Sequence, residues 1–287
     1  MERELWPLLY RLLREVGQDF SQKYVQHPPW AIAAVLLWAA LHDRPAAWAC
    51  DRRHWSSTRR RPDRLPSAAT LSRRQAGVAV GMLLRAAEGR LRAALPPRLL
   101  ACLDGKPLLV GGPSKDPDAA RGPAFGRMAK GYRLHAVWGG RAVPEAWDVT
   151  PLNVSEKAVA RDLLARAGGG GYVLADRNYD ANPLFDLAAA RGYQLVVPMP
   201  DPRAGQGHHY QSPARLRCIA LVRGAFGRRL YAGRGQVERC FGNAGAFAGG
   251  LGPLPNWVRR LPRVHRWVAA KLLINGARIL TNQGLAA

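Results

Sequence analysis

The chain has 287 residues, 48% of them hydrophobic, so it can bury a sizeable core and does not have the composition of a disordered protein. It carries 43 Lys and Arg residues against 20 Asp and Glu, a net charge of +23, which is typical of proteins that contact phosphate groups. Most of the basic residues are Arg, an excess that bidentate phosphate contacts and a GC-rich genome explain equally well.

The sequence also argues against a zinc-binding, a secreted and a membrane-spanning protein. Its four cysteines are scattered and have no C-x-x-C pair, which disfavours a structural zinc site and favours reduced thiols. The amphipathic, acid-containing N-terminus is unlike a signal peptide. The longest apolar run, residues 29–41, is shorter than the roughly 20 residues that cross a bilayer. We therefore expect a soluble, cytoplasmic protein with no membrane partner.

Residues 1–98 are predicted to form a helical N-terminal domain. Apolar residues between positions 5 and 16 follow helical spacing, and a second helix is expected from Pro29 to about Leu41. A short helix fits residues 45–50. A fourth helix is expected to begin with Ser67 as its N-cap and to continue to about residue 95.

Segment 67–75 of that fourth helix has two interpretations. It could be the DNA-contacting helix of a helix-turn-helix, with Arg73 and Arg74 meeting the DNA. Alternatively, the N-terminal helices form a plain bundle whose basic face is solvated. The sequence leaves both open.

From residue 99 the pattern changes to short apolar strands, which predicts a mixed α/β domain over residues 99–287. Strands are expected at residues 99–103, 132–138, 142–149, 172–175 and 194–197. Helices are expected at residues 155–166, 182–190 and 214–222. The region from Tyr231 onward is expected to be mostly helical.

Two acidic residues directly follow predicted strands. Asp104 closes the strand in LACLDGKP, and Asp176 closes the strand in GYVLADRNYD. Taken singly, each could simply cap a turn, since Asp104-Gly105 is a common turn pair. Acids at the ends of buried strands are nevertheless costly to leave unpaired, which also makes both candidates for catalysis.

A third acid lies in the segment YAGRGQVERCF. Tyr231, Arg234 and Glu238 are spaced i, i+3, i+7, which predicts that they share one face of a helix. Two Asp at strand ends and a Glu on a late helix can converge on a pair of divalent cations, the arrangement used for in-line displacement at phosphorus.

Four blocks of the sequence, in order, resemble the DDE transposases of bacterial insertion sequences, specifically the group with a Tyr-x2-Arg-x3-Glu signature. The blocks are LDGKPL at 103–108, KGYRLH at 130–135, LADRNYD at 174–180, and Tyr231, Arg234 and Glu238 at the signature spacing. The resemblance covers about residues 99–282 and includes the family's closing helix. It implies a ribonuclease-H-like sheet, with Asp104 on the first strand, Asp176 after the fourth and Glu238 on the catalytic helix.

The resemblance further implies a chemistry and its partners. Asp104, Asp176 and Glu238 would bind two Mg²⁺ ions, for which Mn²⁺ can substitute, and would catalyse cleavage and strand transfer on double-stranded DNA. The partners would be terminal inverted repeats, target DNA and a second copy of the chain in a dimeric synaptic complex at the nucleoid. Tyr231 and Arg234 would hold phosphate, with Lys130 and Arg177 as further candidates for DNA contact.

One position departs from the family pattern. The family usually has a Lys seven residues after the Glu, where this chain has Gly245. This departure motivates one alternative, an inactive or repurposed relative that binds DNA without cutting it. A second alternative is a nuclease of the same fold without strand transfer. The 62 positions between Asp176 and Glu238 leave no room for the strand-rich insertion of some relatives.

Overall fold

The computed structural model describes residues 2–20, 25–198 and 209–285, with the backbone alone for residues 236–238. Contacts divide the chain into two compact units, Met1–Leu95 with Ala244–Ala287, and Pro96–Asn243. We call them the helical unit and the sheet unit. This division differs from the expected domains 1–98 and 99–287, because the C-terminal residues belong to the helical unit.

Over the described ranges the chain forms ten α-helices and six strands. The helices are α1 (Glu2–Gly17), α2 (Pro29–Leu41), α3 (Ala68–Arg74), α4 (Val78–Ala93), α5 (Glu156–Arg166), α6 (Asn182–Ala190), α7 (Pro213–Arg223), α8 (Ala225–Ala232), α9 (Gly235–Gly245) and α10 (Leu261–Asn282). The strands are β1 (Leu100–Leu109), β2 (Ala120–Ala124), β3 (Arg127–Trp138), β4 (Ala146–Pro151), β5 (Gly171–Leu174) and β6 (Tyr193–Val196).

The helical unit is built around α2. This helix is apolar on every side and almost completely buried, as expected for a helix that other helices surround. Helices α1, α4 and α10 pack against it, and the rings of Trp6, Trp38 and Trp55 form an aromatic cluster. The predicted fourth helix is wrong in one respect, because it divides at residues 75–77 into α3 and α4. Gly77, a poor helix former, is the N-cap of α4.

Lys271 on α10 joins three segments of the helical unit. Its side chain is fully buried, and its ammonium donates to Ala40 O at 2.6 Å, to Asp43 Oδ1 at 2.6 Å and to Gly249 O at 3.0 Å. Ala40 lies in the last turn of α2, where a positive charge is favourable. Gly249 has a φ of +82°, and a Cβ there would lie 2.6 Å from Leu41 O. The glycine-rich segment after α9 is thereby fixed to α2 and α10.

The sheet unit contains one mixed sheet. Its order is β2-β3-β1-β5-β6, and β4 pairs with the remaining length of β3 beside β2. Strands β2, β3, β1 and β4 pair antiparallel, whereas β5 and β6 run parallel to β1. Helices flank this sheet, so the predicted mixed α/β fold preceded by helices is confirmed. The sequence analysis missed β2, and Asp176 therefore follows the fifth strand rather than the fourth.

Within the described ranges, none of the helices is both long enough and apolar enough to cross a membrane.

We predict that Lys271→Met destabilises the helical unit by about 1–3 kcal/mol, because the carbonyls of Ala40 and Gly249 lose a buried donor. Urea unfolding followed by tryptophan fluorescence measures this, since the aromatic cluster lies in the same unit. Lys157→Met, which removes an exposed lysine on α5, is the matched control and should change stability by less than about 0.5 kcal/mol. Equal stability of the two variants would contradict the role of Lys271.

Candidate functional site

Asp104 and Asp176 are brought near each other by the parallel pairing of β1 with β5. Cys102 lies opposite Leu174 in this pairing, and each Asp comes two residues later. The prediction that Asp104 closes its strand is wrong, because β1 continues to Leu109, whereas Asp176 does lie beyond the end of β5. Adjacent strands lie about 4.8 Å apart, so the register places Asp176 beside the middle of β1, where Asp104 lies.

Local backbone groups orient both carboxylates. Asp104 Oδ1 accepts from Gly105 N at 2.8 Å, and Asp176 Oδ1 accepts from Asn178 N at 2.8 Å. The latter contact makes Asp176 the N-cap of a 3-10 turn, Arg177–Tyr179. The turn-capping interpretation of Asp176 is thus correct, and it does not exclude a role in catalysis.

The surroundings of the two acids are shared. Burial, together with the charges of Asp104 and Asp176, raises the pKa of the Tyr179 phenol far above its usual range. Burial lowers the pKa of Arg234, but Tyr231, Asp104 and Asp176 outweigh it and the net change is upward. The charges of both acids therefore act on the Tyr179 phenol and on the Arg234 guanidinium, so the two carboxylates share one electrostatic environment.

A buried network supports the site through β3 and α5. Arg133 of β3 forms an ion pair with Glu156 of α5, and Tyr179 Oη donates to the same carboxylate at 3.2 Å. Burial lowers the pKa of Arg133, while Tyr179, Asp104 and Asp176 partly offset this effect. A Cβ at position 105 would lie 2.7 Å from Arg133 Cδ, so Gly105 leaves the space that this side chain fills.

The prediction that Tyr231, Arg234 and Glu238 share one continuous helix is wrong. Helix α8 ends at Ala232 and α9 begins at Gly235, with Arg234 in the turn between them. Glycines at 233 and 235 weaken the helix here, and i+3 hydrogen bonds run from Gly233 N to Leu230 O and from Arg234 N to Tyr231 O. A Cβ at 233 would lie 3.2 Å from Leu100 Cδ2, so the turn lies directly on β1.

Tyr231 ties this turn to the strand that precedes Asp176. Its phenol donates to Ala175 O at 3.1 Å and contacts Arg234. Arg234 lies in this turn, and its guanidinium interacts with Tyr231 and with both acids. The predicted proximity of Tyr231 and Arg234 to the acids is found, although the predicted helix is not.

Helix α9, which contains Glu238, is anchored to the strand of Asp104. Lys106 Nζ donates to Phe241 O at 3.2 Å, and the Phe241 ring packs edge-on against Trp138 of β3 at 5.8 Å. Cys102, Asp104 and Lys106 alternate along β1 and so share a face, and Lys106 shows that α9 lies on that face. Glu238 is in α9, about one turn before Phe241, and its side chain lies outside the described residues.

Among the side chains that the structure describes, no three His, Cys, Asp or Glu come together in a way that could hold a metal ion. Of the three candidate acids, the structure describes the side chains of Asp104 and Asp176 but not that of Glu238.

The comparison with protein families agrees with this geometry. The family described as "Transposase DDE domain" matches residues 95–251, more than half of the chain. The chain belongs to the transposase DDE domain family. The resemblance found in the sequence is confirmed, and the family is one of enzymes that process nucleic acids and generally use divalent metal ions.

Two further comparisons complete the picture. The cryo-EM structure of a piggyBac transposase synaptic complex with hairpin DNA aligns with a TM-score of 0.49 and 9% sequence identity, over 97% of this chain and 74% of that one. Among curated proteins, none matches the chain.

The other basic residues singled out in the sequence lie in different settings. Lys130 Nζ donates to Ser114 O at 2.7 Å and so holds the segment that connects β1 with β2. Arg177 is exposed directly after Asp176, beside Lys157 and Asn178 at a shallow depression. Arg73 and Arg74 end α3, in the helical unit. Arg177 thus lies next to a candidate catalytic acid of this transposase-family chain.

Sequence reasoning missed Tyr179, Glu156 and Lys106 as parts of the site. Tyr179 and Lys106 stand within the family-like blocks LADRNYD and LDGKPL, so their positions carried a signal. The position of Glu156 carried no such signal in the sequence, because the packing of α5 against β3 is visible only in three dimensions.

His135 of β3 makes stability depend on pH. Burial, reinforced by the charge of Arg133, lowers the pKa of His135 to about 4, whereas an unfolded histidine titrates near 6.5. Its Nε2 lies 2.9 Å from Thr150 Oγ1, and within the described residues its buried Nδ1 has no hydrogen-bond partner. Only the unfolded chain binds the proton between these values, so the contribution is complete above about pH 6.5 and is lost as the pH falls towards 4.

We predict that wild type loses about 3 kcal/mol more stability between pH 7 and pH 4 than His135→Gln does, because glutamine does not titrate. Urea unfolding at a series of pH values measures the difference. His209→Gln, at an exposed histidine, is the control and should keep the wild-type pH dependence. Parallel pH curves for wild type and His135→Gln would refute the assignment.

We predict that Tyr231→Phe slows DNA cleavage roughly 10- to 100-fold, because the turn that carries Arg234 loses its bond to Ala175 O beside Asp176. The change removes one oxygen and should cost only about 1 kcal/mol of stability. Tyr210→Phe, at an exposed tyrosine of the same unit, is the matched control. A cleavage rate equal to that of the control would show that the phenol does not position the site.

Proposed function

We propose that this protein is a transposase that cuts DNA at the ends of an insertion sequence and joins the freed ends to target DNA. The observation that carries the proposal is that the pairing of β1 with β5 places Asp104 and Asp176 near each other, in a chain of the transposase DDE domain family. The contact of Lys106 with helix α9, the helix that contains Glu238, supports a place for the third acid at the same site. We propose Asp104, Asp176 and Glu238 as the catalytic residues.

The donor set fits magnesium. Carboxylate oxygens are the hard ligands that Mg²⁺ prefers, and backbone N–H groups already orient both Asp side chains. We propose that the three acids hold two Mg²⁺ ions, or Mn²⁺ in their place. Such ions, when bound, would favour deprotonation of the attacking hydroxyl and stabilise the negative charge on the phosphoryl and leaving oxygens.

The chain's own residues would bind and orient the DNA phosphate. Arg234 is held by Tyr231 and feels both Asp charges, so its guanidinium is placed to contact a phosphate that approaches the acids. Arg177 is exposed directly after Asp176 and would bind the neighbouring phosphate. Lys130 remains a candidate for a further contact, although one of its donors is used by Ser114 O.

The net charge of +23 supports double-stranded DNA as the partner, both as terminal inverted repeats and as target. Joining two element ends in one reaction calls for a second copy of the chain, so we propose a dimer in the synaptic complex, acting at the nucleoid. Within the helical unit, Arg73 and Arg74 of α3 would add contacts to the DNA backbone.

The test uses purified full-length protein and a duplex carrying the inverted repeats that flank its reading frame. With Mg²⁺ or Mn²⁺, wild type should cut at the repeat end and join a pre-cut end to target DNA. Asp104→Asn, Asp176→Asn and Glu238→Gln should each lower both rates roughly a thousandfold or more, since several kcal/mol of transition-state stabilisation are lost. Asp162→Asn, at an exposed acid on α5, is the matched control.

The outcomes separate the alternatives. Cutting without joining, in a protein that loses both with Asp104→Asn, would identify a nuclease on the same fold and overturn strand transfer. Binding of the repeats without either reaction would identify a DNA-binding relative. Full activity of Glu238→Gln would remove Glu238 from the site while leaving the two Asp in place.

A further inference from the structure

The helical unit contains a cavity of about 210 Å³ that is distinct from the candidate catalytic site. Its walls come from α2, the 3-10 helix Ala46–Cys50, α3 and α10, together with Trp257. Leu36, Leu71 and Trp267 provide an apolar floor, and all three are buried. A cavity of roughly 150 Å³ is enough for a benzene-sized ring, so this one can accept an aromatic ring with substituents.

The charged groups around this cavity are all of one sign. Arg44, Arg263 and Arg266 line it, and the described lining contains no Asp or Glu. Arg263 Nη1 donates to the backbone carbonyl of Trp257 at 3.0 Å, which ties this guanidinium to the segment that carries Trp257. Arg44 and Arg263 are exposed and Arg266 is half-buried, so positive charge surrounds the cavity and favours an anionic ligand.

Arg266 provides a second, independent observation. Its Nε is buried and has no hydrogen-bond partner within the described residues. Burial, reinforced by the charge of Arg263, lowers the pKa of Arg266. A buried guanidinium nitrogen without an acceptor is unfavourable in the protein alone, and a phosphate oxygen would supply the acceptor.

The aromatic lining indicates the rest of the ligand. Trp257 is 39% exposed, which is high for a tryptophan and leaves its ring available for stacking. Bases stack on such rings without regard to sequence. Ser72 of α3 and Gln75, the residue directly after α3, add a hydroxyl and an amide at the wall, groups that can bond to the edge of a base.

We propose that this cavity binds one unstacked nucleotide of DNA, with its base against Trp257 and its phosphate at Arg263 and Arg266. The choice of DNA over a free nucleotide rests on the proposed function. Helix α3 would then contact DNA through the face that carries Leu71, Ser72 and Gln75, rather than through Arg73 and Arg74 alone.

The experiment measures DNA binding in EDTA by fluorescence anisotropy, so that it does not depend on cleavage. Two duplexes of the same sequence are compared, one fully paired and one with a single extrahelical thymidine, and thymidine 5′-monophosphate is added as competitor. Trp257→Ala and Arg266→Met test the cavity. Arg90→Met, at an exposed arginine of α4 outside the cavity, removes the same charge as a control.

Wild type should bind the duplex with the extrahelical base more tightly, and Trp257→Ala should lose roughly 5- to 150-fold in affinity for that duplex alone. Arg266→Met should lose the same preference, and Arg90→Met should keep it. Arg266→Met should also raise the melting temperature, because the unsatisfied buried guanidinium is gone. A structural role for Arg266 would lower it.

Several results would overturn the proposal. They are equal affinity of wild type for both duplexes, loss in Arg266→Met that is the same for both duplexes, or a lower melting temperature of Arg266→Met. Competition by the monophosphate without any preference between duplexes would assign the cavity to a free nucleotide and overturn DNA as the source. Failure to bind either duplex would contradict the proposed function instead.

Discussion

The parallel pairing of β1 with β5 is the constraint on which the candidate site depends. It brings Asp104, in the middle of β1, near Asp176, which lies just beyond β5. Two carboxylates in one environment disfavour each other's charge, and positive groups nearby offset that cost. Arg234 and Arg133 supply positive charge around them, and Arg133 is also paired with Glu156. The pairing of the two strands therefore sets the place of both acids and of the guanidinium groups that act on them.

The helix that contains the third candidate acid is held by different contacts. Helix α9 does not continue α8 but follows a turn between two glycines, and Gly233 brings that turn against Leu100 of β1. Tyr231 fixes one end of the turn to the sheet, and Lys106 fixes α9 further along. A continuous helix would have given Tyr231, Arg234 and Glu238 one common face. The broken helix instead lets Arg234 and α9 be placed separately, each by its own contact with the sheet.

These features explain what the sequence could predict. The strand end before Asp176 is predictable from an apolar run that ends in an acid, because such an end is visible in a local pattern. The same pattern at Asp104 is misleading, because β1 continues through Asp104-Gly105 to Leu109 in its pairing with β3. The break at 233–235 was visible as glycines but was outweighed by the i, i+3, i+7 spacing. Strand β2 was missed because ARGPA has neither alternation nor β-branched residues. The pairing of residues 244–287 with the N-terminal helices has no local signal at all, since it depends on contacts such as that of Lys271 with Ala40.

Two cations of α10, the buried Lys271 and the half-buried Arg266, differ in how their charge is compensated. Lys271 has three oxygen acceptors and lies over the ring of Trp267, so its burial is compensated within the protein. Arg266, one turn away, has a buried Nε without an acceptor and Arg263 as a neighbour of the same sign. Burial of charge is tolerated when partners are complete, and natural proteins rarely leave it incomplete without a reason. The same helix therefore carries one cation whose partners are complete within the unit and one with a buried nitrogen for which we propose an acceptor from a ligand.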